Sequence, residues 1–154
     1  MKLKHLAAAG LALGIAAGAL AQGKPEDEIH YRQSVMNVVG HAFGPMIAMA
    51  QGKIPYNQDV VAKNSSLLEA LIGLPWSAFG PGTDKGAPTK ASKKIWSEPA
   101  KFKDASDKVQ QAVADLDKTA KGGDEKAVKV ALGHLGKACK ACHDDFRTKE
   151  FQRN

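Results

Sequence analysis

Apolar residues along this chain recur in steps of three and four, the spacing of amphipathic helices, and no stretch of any length shows the two-residue alternation of a half-buried strand. Four such stretches follow residue 22. The first opens at Pro25, a residue suited to a first helical turn, with Glu26, Asp27 and Glu28 at the positive end of the dipole. Its stripe runs Ile29, Gln33, Met36, Gly40, Phe43 and Ile47, one member being polar, and Pro45 is expected to bend or interrupt it near Gly44. Asn57 suits the cap of the second helix, whose inner face reads Val60, Val61, Asn64, Leu67, Leu68, Leu71 and Leu74. Pro75 kinks or ends that helix, Trp76 and Phe79 follow, and Gly80-Pro81-Gly82 is a stop. Ser97 reads as the cap of the third helix, with Pro99 in its first turn and Phe102, Ala105, Val109, Ala112, Val113 and Leu116 facing inward. Gly122-Gly123 ends it, and Asp124 caps a fourth with the stripe Val128, Ala131, Leu132, Leu135, Cys139, Cys142 and Phe146.

Helices at about 25–50, 57–79, 98–121 and 124–150, joined by three connections, predict an all-α fold, an antiparallel up-down-up-down four-helix bundle spanning 22–154. The connection from Gly80 to Ser97 is long and rich in Gly, Pro, Thr and Lys, the kind of loop that carries function.

The 154 residues amount to one domain, and aromatics at 6% leave the core to Leu, Val, Ile and Ala. The first 21 residues stand apart. Lys2 and Lys4 precede a small-apolar run from Leu6 to Ala21 that closes on Ala19-Leu20-Ala21. This is the layout of a secretory signal peptide cleaved after Ala21; an uncleaved anchor is the alternative. Cleavage lowers the formal charge from +6 to +4, too small and too scattered for nucleic acid. The expected product is an exported, periplasmic domain with no membrane span.

Two cysteines make no disulfide framework, so their role is chemical. Cys139-Lys140-Ala141-Cys142-His143 is C-x-x-C-H, the attachment pattern of c-type haem. Residues three and four apart share a helix face. Cys139 and Cys142 therefore reach the two vinyl groups of one haem edge as thioethers, and His143 approaches the iron as proximal ligand. The competing readings are a redox C-x-x-C pair, which normally opens a helix after a strand, and half of a zinc site, which needs two further ligands. His134 is one candidate, but it lies five residues before Cys139, off that face.

With that motif near the C-terminus of a helical chain bearing a signal sequence, the protein resembles cytochrome c′, the class II c-type cytochromes. Tyr31-Arg32-Gln33-Ser34, the run from Leu74 through Pro75-Trp76-Ser77-Ala78-Phe79 to Thr83, and the run from Cys139 to Arg147 all resemble segments of that family. The likeness spans about Lys24 to Lys149. It implies one covalent haem c per chain, with His143 the single protein ligand of five-coordinate iron. It further implies Arg32 and Gln33 beside the haem propionates, Met36 as an apolar lid over the distal face, and Trp76 and Phe79 packed near the cofactor. Arg147 flanks the proximal side. The family is typically a homodimer through its first two helices, and Val35, Val38, Val39 and Ala42 lie outside the inner stripe of helix one as a candidate partner surface. Pro45 and a lengthened loop from Thr83 to Ile95 depart from the family pattern.

Function divides three ways. The first is a haem protein with high-spin iron that binds the small diatomics NO and CO and takes part in electron transfer with redox partner proteins. The second is a six-coordinate His143/Met low-spin carrier, with Met36 as the sixth ligand; in low-spin relatives that ligand lies nearer the place Arg32 occupies here. The third, an enzyme, is disfavoured because no distal His with a partner for proton work is found. Met46 and Met49 read as core or interface, His30, His41 and His134 as surface, and Asp144-Asp145 as solvated. Lys137, Lys140, Lys149 and Arg153 surround the haem-bearing helix, a solvated face that could also steer an acidic redox partner.

Overall fold

The computed structural model describes residues 23–152; the signal-peptide reading lies outside them. Helix α1 spans Pro25–Ala50, α2 Gln58–Leu71, a 3₁₀ segment Leu74–Phe79, strand β1 Thr89–Ala91, the single turn α3 Lys94–Ser97, α4 Pro99–Gly122, α5 Glu125–Phe146 and strand β2 Arg147–Gln152. The long helices α1, α2, α4 and α5 form the expected four-helix bundle. In it α1 packs on α2, α2 on α4 and α4 on α5, while α1 also meets the 3₁₀ segment and α5. Among the described residues no helix is long and apolar enough to cross a membrane.

Local chemistry sets most boundaries. The Asn57 side chain accepts from the Val60 N–H, and Asp124 accepts from Lys126 and Ala127, so both expected caps form. Gly123 closes α4 with a φ of +75°, a left-handed cap that glycine adopts without a Cβ clash.

Four boundaries depart from the sequence reading. Helix α1 runs through Pro45 without interruption. The missing N–H removes one ladder bond, and burial of Ala42, Met46 and Met49 on either side carries the helix through. The second helix ends at Leu71 instead of continuing to 79, because Gly73 and Pro75 break the register and the chain tightens into the 3₁₀ segment. Ser97 makes no cap; it ends α3, and Glu98 precedes α4 without a side-chain cap bond. The last helix stops at Phe146 instead of about 150, where Arg147 turns extended and β2 pairs antiparallel with β1. Strand β1 has three residues, too few to register as an alternation, and β2, read Arg147-Thr148-Lys149-Glu150-Phe151-Gln152, carries one apolar residue and so no alternation at all.

The core holds Ile29, Met46, Val61, Leu68, Leu116, Val128, Leu132 and Leu135, all at 2% exposure or less. Helix α5 buries six of the seven predicted stripe residues and α4 three of six, the others being half-buried. The α1 stripe lines an internal cavity with Gln33, Met36, Gly40 and Phe43, and α2 is turned from its predicted face. In α1 the buried set is Ile29, Arg32, Val35, Ala42, Met46 and Met49. In α2 Val61, Ser65 and Leu68 are buried while Leu67 is exposed. The buried Ser65 answers a second buried polar group, Asp117 on α4, which also accepts from Ser66 at 2.7 Å and pairs with Lys121.

Candidate functional site

A cavity of about 690 Å³ opens into the bundle, within the size range of cofactor pockets. Its lining brings together all nine site residues singled out in the sequence: Arg32, Gln33, Met36, Trp76, Phe79, Cys139, Cys142, His143 and Arg147. They come from α1, the 3₁₀ segment, α5 and the first residue of β2. Cys139 and Cys142 lie one helical turn apart on α5, as the three-residue spacing requires, and Cys142 is buried among the core residues.

Aromatic residues build part of the wall. The ring centroid of Phe102 lies 5.0 Å from that of Phe79, 5.3 Å from Phe146 and 6.0 Å from Trp76, each pair edge-to-face. Phe102 and Phe146 belonged to the apolar stripes and carried no separate signal of a site. Thr89, Lys90 and Phe151 also reach the cavity. Sequence reasoning missed them, since they arrive through the β1–β2 pairing.

Arg32 is the organising cation. Only 3% exposed, its Nη1 donates to the Ala78 carbonyl at 2.8 Å and the Thr83 hydroxyl at 3.0 Å. Nη2 donates to the Thr83 carbonyl at 2.8 Å and the Thr89 hydroxyl at 3.3 Å. The guanidinium carbon sits 4.4 Å from the Phe79 ring centroid. Burial pulls the Arg32 pKa down to about 10, opposed by Glu28 and Asp84, so the group stays charged at neutral pH. Gln33 donates to the Pro88 carbonyl at 2.9 Å, and Trp96 Nε1 to the Gly80 carbonyl at 3.0 Å. The loop after Gly80, long in sequence, is thereby pinned to the mouth of the cavity.

The thiols are not poised for free redox chemistry. Burial pushes Cys139 up to about 11, with Cys142 adding to it, and burial together with Asp145 raises Cys142. Both stay protonated near neutral pH, whereas reactive pairs have depressed values. Among the described residues no three His, Cys, Asp or Glu side chains converge as a metal cage. His143 titrates below its ordinary value because of partial desolvation and the Arg147 charge, favouring the neutral imidazole that a metal ligand requires.

The donor set fits haem c. Two thiols and an imidazole stand on one wall of a mostly apolar cavity, cations stand at Arg32, Lys90 and Arg147, and Trp76 Nε1 is buried with no hydrogen-bond partner. An orphaned buried N–H is costly, and a cofactor carrying carboxylates supplies acceptors. Histidines 41 and 134 are exposed and away from this cavity, and His30 lies beside Glu26 at 3.7 Å on the surface.

A helical bundle with C-x-x-C-H on its last long helix, facing an apolar cavity, defines a bundle-type c-type cytochrome. The family described as Cytochrome C' matches residues 27–147, and the chain belongs to that family. It is 49% identical over 126 residues to cytochrome c′ of Rubrivivax gelatinosus, covering 82% of this chain and 98% of that one. The crystal structure of the Rubrivivax protein superposes with a TM-score of 0.78 over 80% of this chain and 97% of that chain. A nitric oxide complex of a cytochrome c prime variant from Alcaligenes xylosoxidans gives a TM-score of 0.77 at 39% identity, covering 84% of this chain and 99% of that chain. A carbon monoxide-bound variant of the same cytochrome gives 0.75 at 40% identity, covering 82% and 98%. The protein is therefore a haem c cytochrome.

Proposed function

We propose that haem c is held in this cavity by thioethers from Cys139 and Cys142, with His143 the single protein ligand of a five-coordinate, high-spin iron, and that the protein binds NO and CO and exchanges electrons. The observation that carries this reading is the make-up of the cavity. One wall holds Cys139, Cys142 and His143, and apolar side chains including Met36, Val39, Phe43 and Leu68 line the rest. When bound, the haem supplies a coordination position for small diatomics and a one-electron couple. The chain's own residues hold its edge at two sulfurs, offer a neutral imidazole, and exclude water with the aromatic and aliphatic wall. Arg32 and Gln33 place positive charge and a donor amide by the cofactor's carboxylates, Arg147 flanks the proximal side beside His143, and the Trp76 N–H gains a partner. Arg32 acts there chiefly by its charge, because its Nη donors are engaged with the loop. The role is binding and electron carriage rather than catalysis. The CO and NO complexes belong to the Alcaligenes protein and support the same ligands here.

The mature chain is read as periplasmic, beginning at Gln22, and as a homodimer through its first two helices. Support for the dimer shifts from the surface first expected. Ala42 is 4% exposed and Val35 8%, so both belong to the core, and Val39 faces the cavity. The apolar residues left exposed on α1 are Tyr31 and Val38, and Leu67 and Leu74 are exposed on α2 and the 3₁₀ segment.

One optical experiment tests the haem reading. Acid-acetone extraction should leave the colour with the protein, and the ferrous spectrum should be high-spin and shift on adding CO. Freely extracted haem would refute the thioethers. A low-spin ferrous spectrum indifferent to CO would instead indicate the six-coordinate His143/Met36 carrier.

A further inference from the structure

We infer that the β1–β2 ribbon is the cover of the cavity's open side and that Phe151 sets how readily a large reagent reaches the cofactor there. This rests on the haem reading above. Thr89, Lys90 and Ala91 from β1, and Arg147 and Phe151 from β2, all line the cavity. Phe151 is 54% exposed, a large apolar ring outside the core, and Lys90 Nζ lies 4.8 Å from its centroid. An apolar ring tethered by a cation at a cavity mouth restricts passage while remaining free to swing.

The ribbon is anchored unequally. Strand β1 is fixed to α1 through the bond from Arg32 to the Thr89 hydroxyl. The Ser92 N–H donates to the Phe146 carbonyl at 2.9 Å, which ties the end of β1 to α5, whereas β2 is held by its antiparallel pairing with β1; its Thr148 hydroxyl lies 3.2 Å from the Lys90 carbonyl and 2.7 Å from that of Glu150. The register also shifts between Thr89 and Ala91, which weakens the ladder. A two-stranded ribbon is marginally stable in water, so β2 opens without unfolding the bundle. Its residues beyond 147 lie past the end of the family match.

The test uses the haem-loaded protein with Phe151→Ala and, separately, a chain ended after Arg147. Ferrous protein is oxidised by ferricyanide at an ionic strength of about 1 M, where a screening length of ~3 Å removes charge steering. Both variants should react about three- to tenfold faster than wild type with an unchanged haem spectrum, equivalent to about 0.6–1.4 kcal/mol of lost barrier. Hydrogen exchange, read separately, should show protected amides at 89–92 and 147–152 in the wild type, and lost protection at 89–90 in the shortened chain, with Ser92 still protected by the retained Phe146 carbonyl. Unchanged oxidation in both variants, or wild-type amides at 147–152 exchanging like free peptide, overturns the cover while leaving the haem reading intact. A protein without covalent haem overturns both.

Discussion

Arg32 and Thr83 form a two-point clasp: one guanidinium nitrogen donates to the Thr83 carbonyl at 2.8 Å and the other to its hydroxyl at 3.0 Å, across 51 residues of chain. The clasp joins α1 to the loop that follows the 3₁₀ segment. The Thr83 hydroxyl in turn donates to the Gly80 carbonyl at 2.9 Å, so one buried cation orders the turn after Phe79. A planar fork makes such a contact and a lysine ammonium does not.

Replacing Arg32 should therefore loosen the loop before it loosens the bundle. Arg32→Leu strands buried loop acceptors and should cost about 1.5–3 kcal/mol in denaturant unfolding, the scale of hydrogen bonds to a charged group. Arg32→Lys should lose less, retaining the charge without the fork. Equal stability of wild type and Arg32→Leu would mean that the clasp does not hold in solution.

The Asp117 cluster should give an acid-dependent stability. Burial opposes its charged form, but hydrogen bonds from Lys121 and Ser66, the Lys121 charge and a bond from Ser65 outweigh this and hold its carboxyl below the ordinary value. The unfolded chain then binds the proton first as pH falls. The stabilisation is present above the ordinary carboxyl pKa and is lost as pH drops through the depressed one. Asp117→Asn should be less stable than wild type at neutral pH by about 1–3 kcal/mol, with the gap closing in acid. Urea midpoints across that range provide the measurement, and a pH-independent gap would contradict it.

Association should depend on Val38, 47% exposed on α1. Val38→Glu places a charge on the proposed partner face without touching the core. It should shift sedimentation towards monomer while leaving helix content unchanged. A wild type that sediments as a monomer at high concentration would remove the dimer.

Met36 lines the cavity half-buried, on the helix that also presents Arg32 and Gln33. If it fills space above the iron, Met36→Ala should speed CO association to the ferrous protein by about tenfold, the effect of about 1.4 kcal/mol of relieved steric cost. Flash photolysis reads this directly. A wild type with a sulfur-to-iron band that Met36→Ala abolishes would reverse the assignment.

The sequence by itself determined what depends on near neighbours along the chain. The caps at Asn57 and Asp124, the stop at Gly123 and the stripes of α4 and α5 all formed as read, because each rests on contacts within a turn or two. The C-x-x-C-H spacing carried the chemistry, since one helical turn places both thiols on a single wall. What only the tertiary structure decided depends on distant partners. The predicted stripe of α1 lines the cavity with Gln33, Met36, Gly40 and Phe43, and what the tertiary structure adds is a buried flank of Arg32, Val35 and Ala42, with Arg32 held by Thr83 and Thr89. Ser65 is buried because Asp117 faces it from another helix. Pro45 lies within an unbroken helix because the packing around it outweighs one lost hydrogen bond. The β1–β2 ribbon pairs Ala91 with Arg147 and Thr89 with Gln152, distant in sequence, with no side-chain period to betray them. Local periodicity records which residues avoid water, whereas the pairing of polar groups across the fold is settled only when the chain closes on itself.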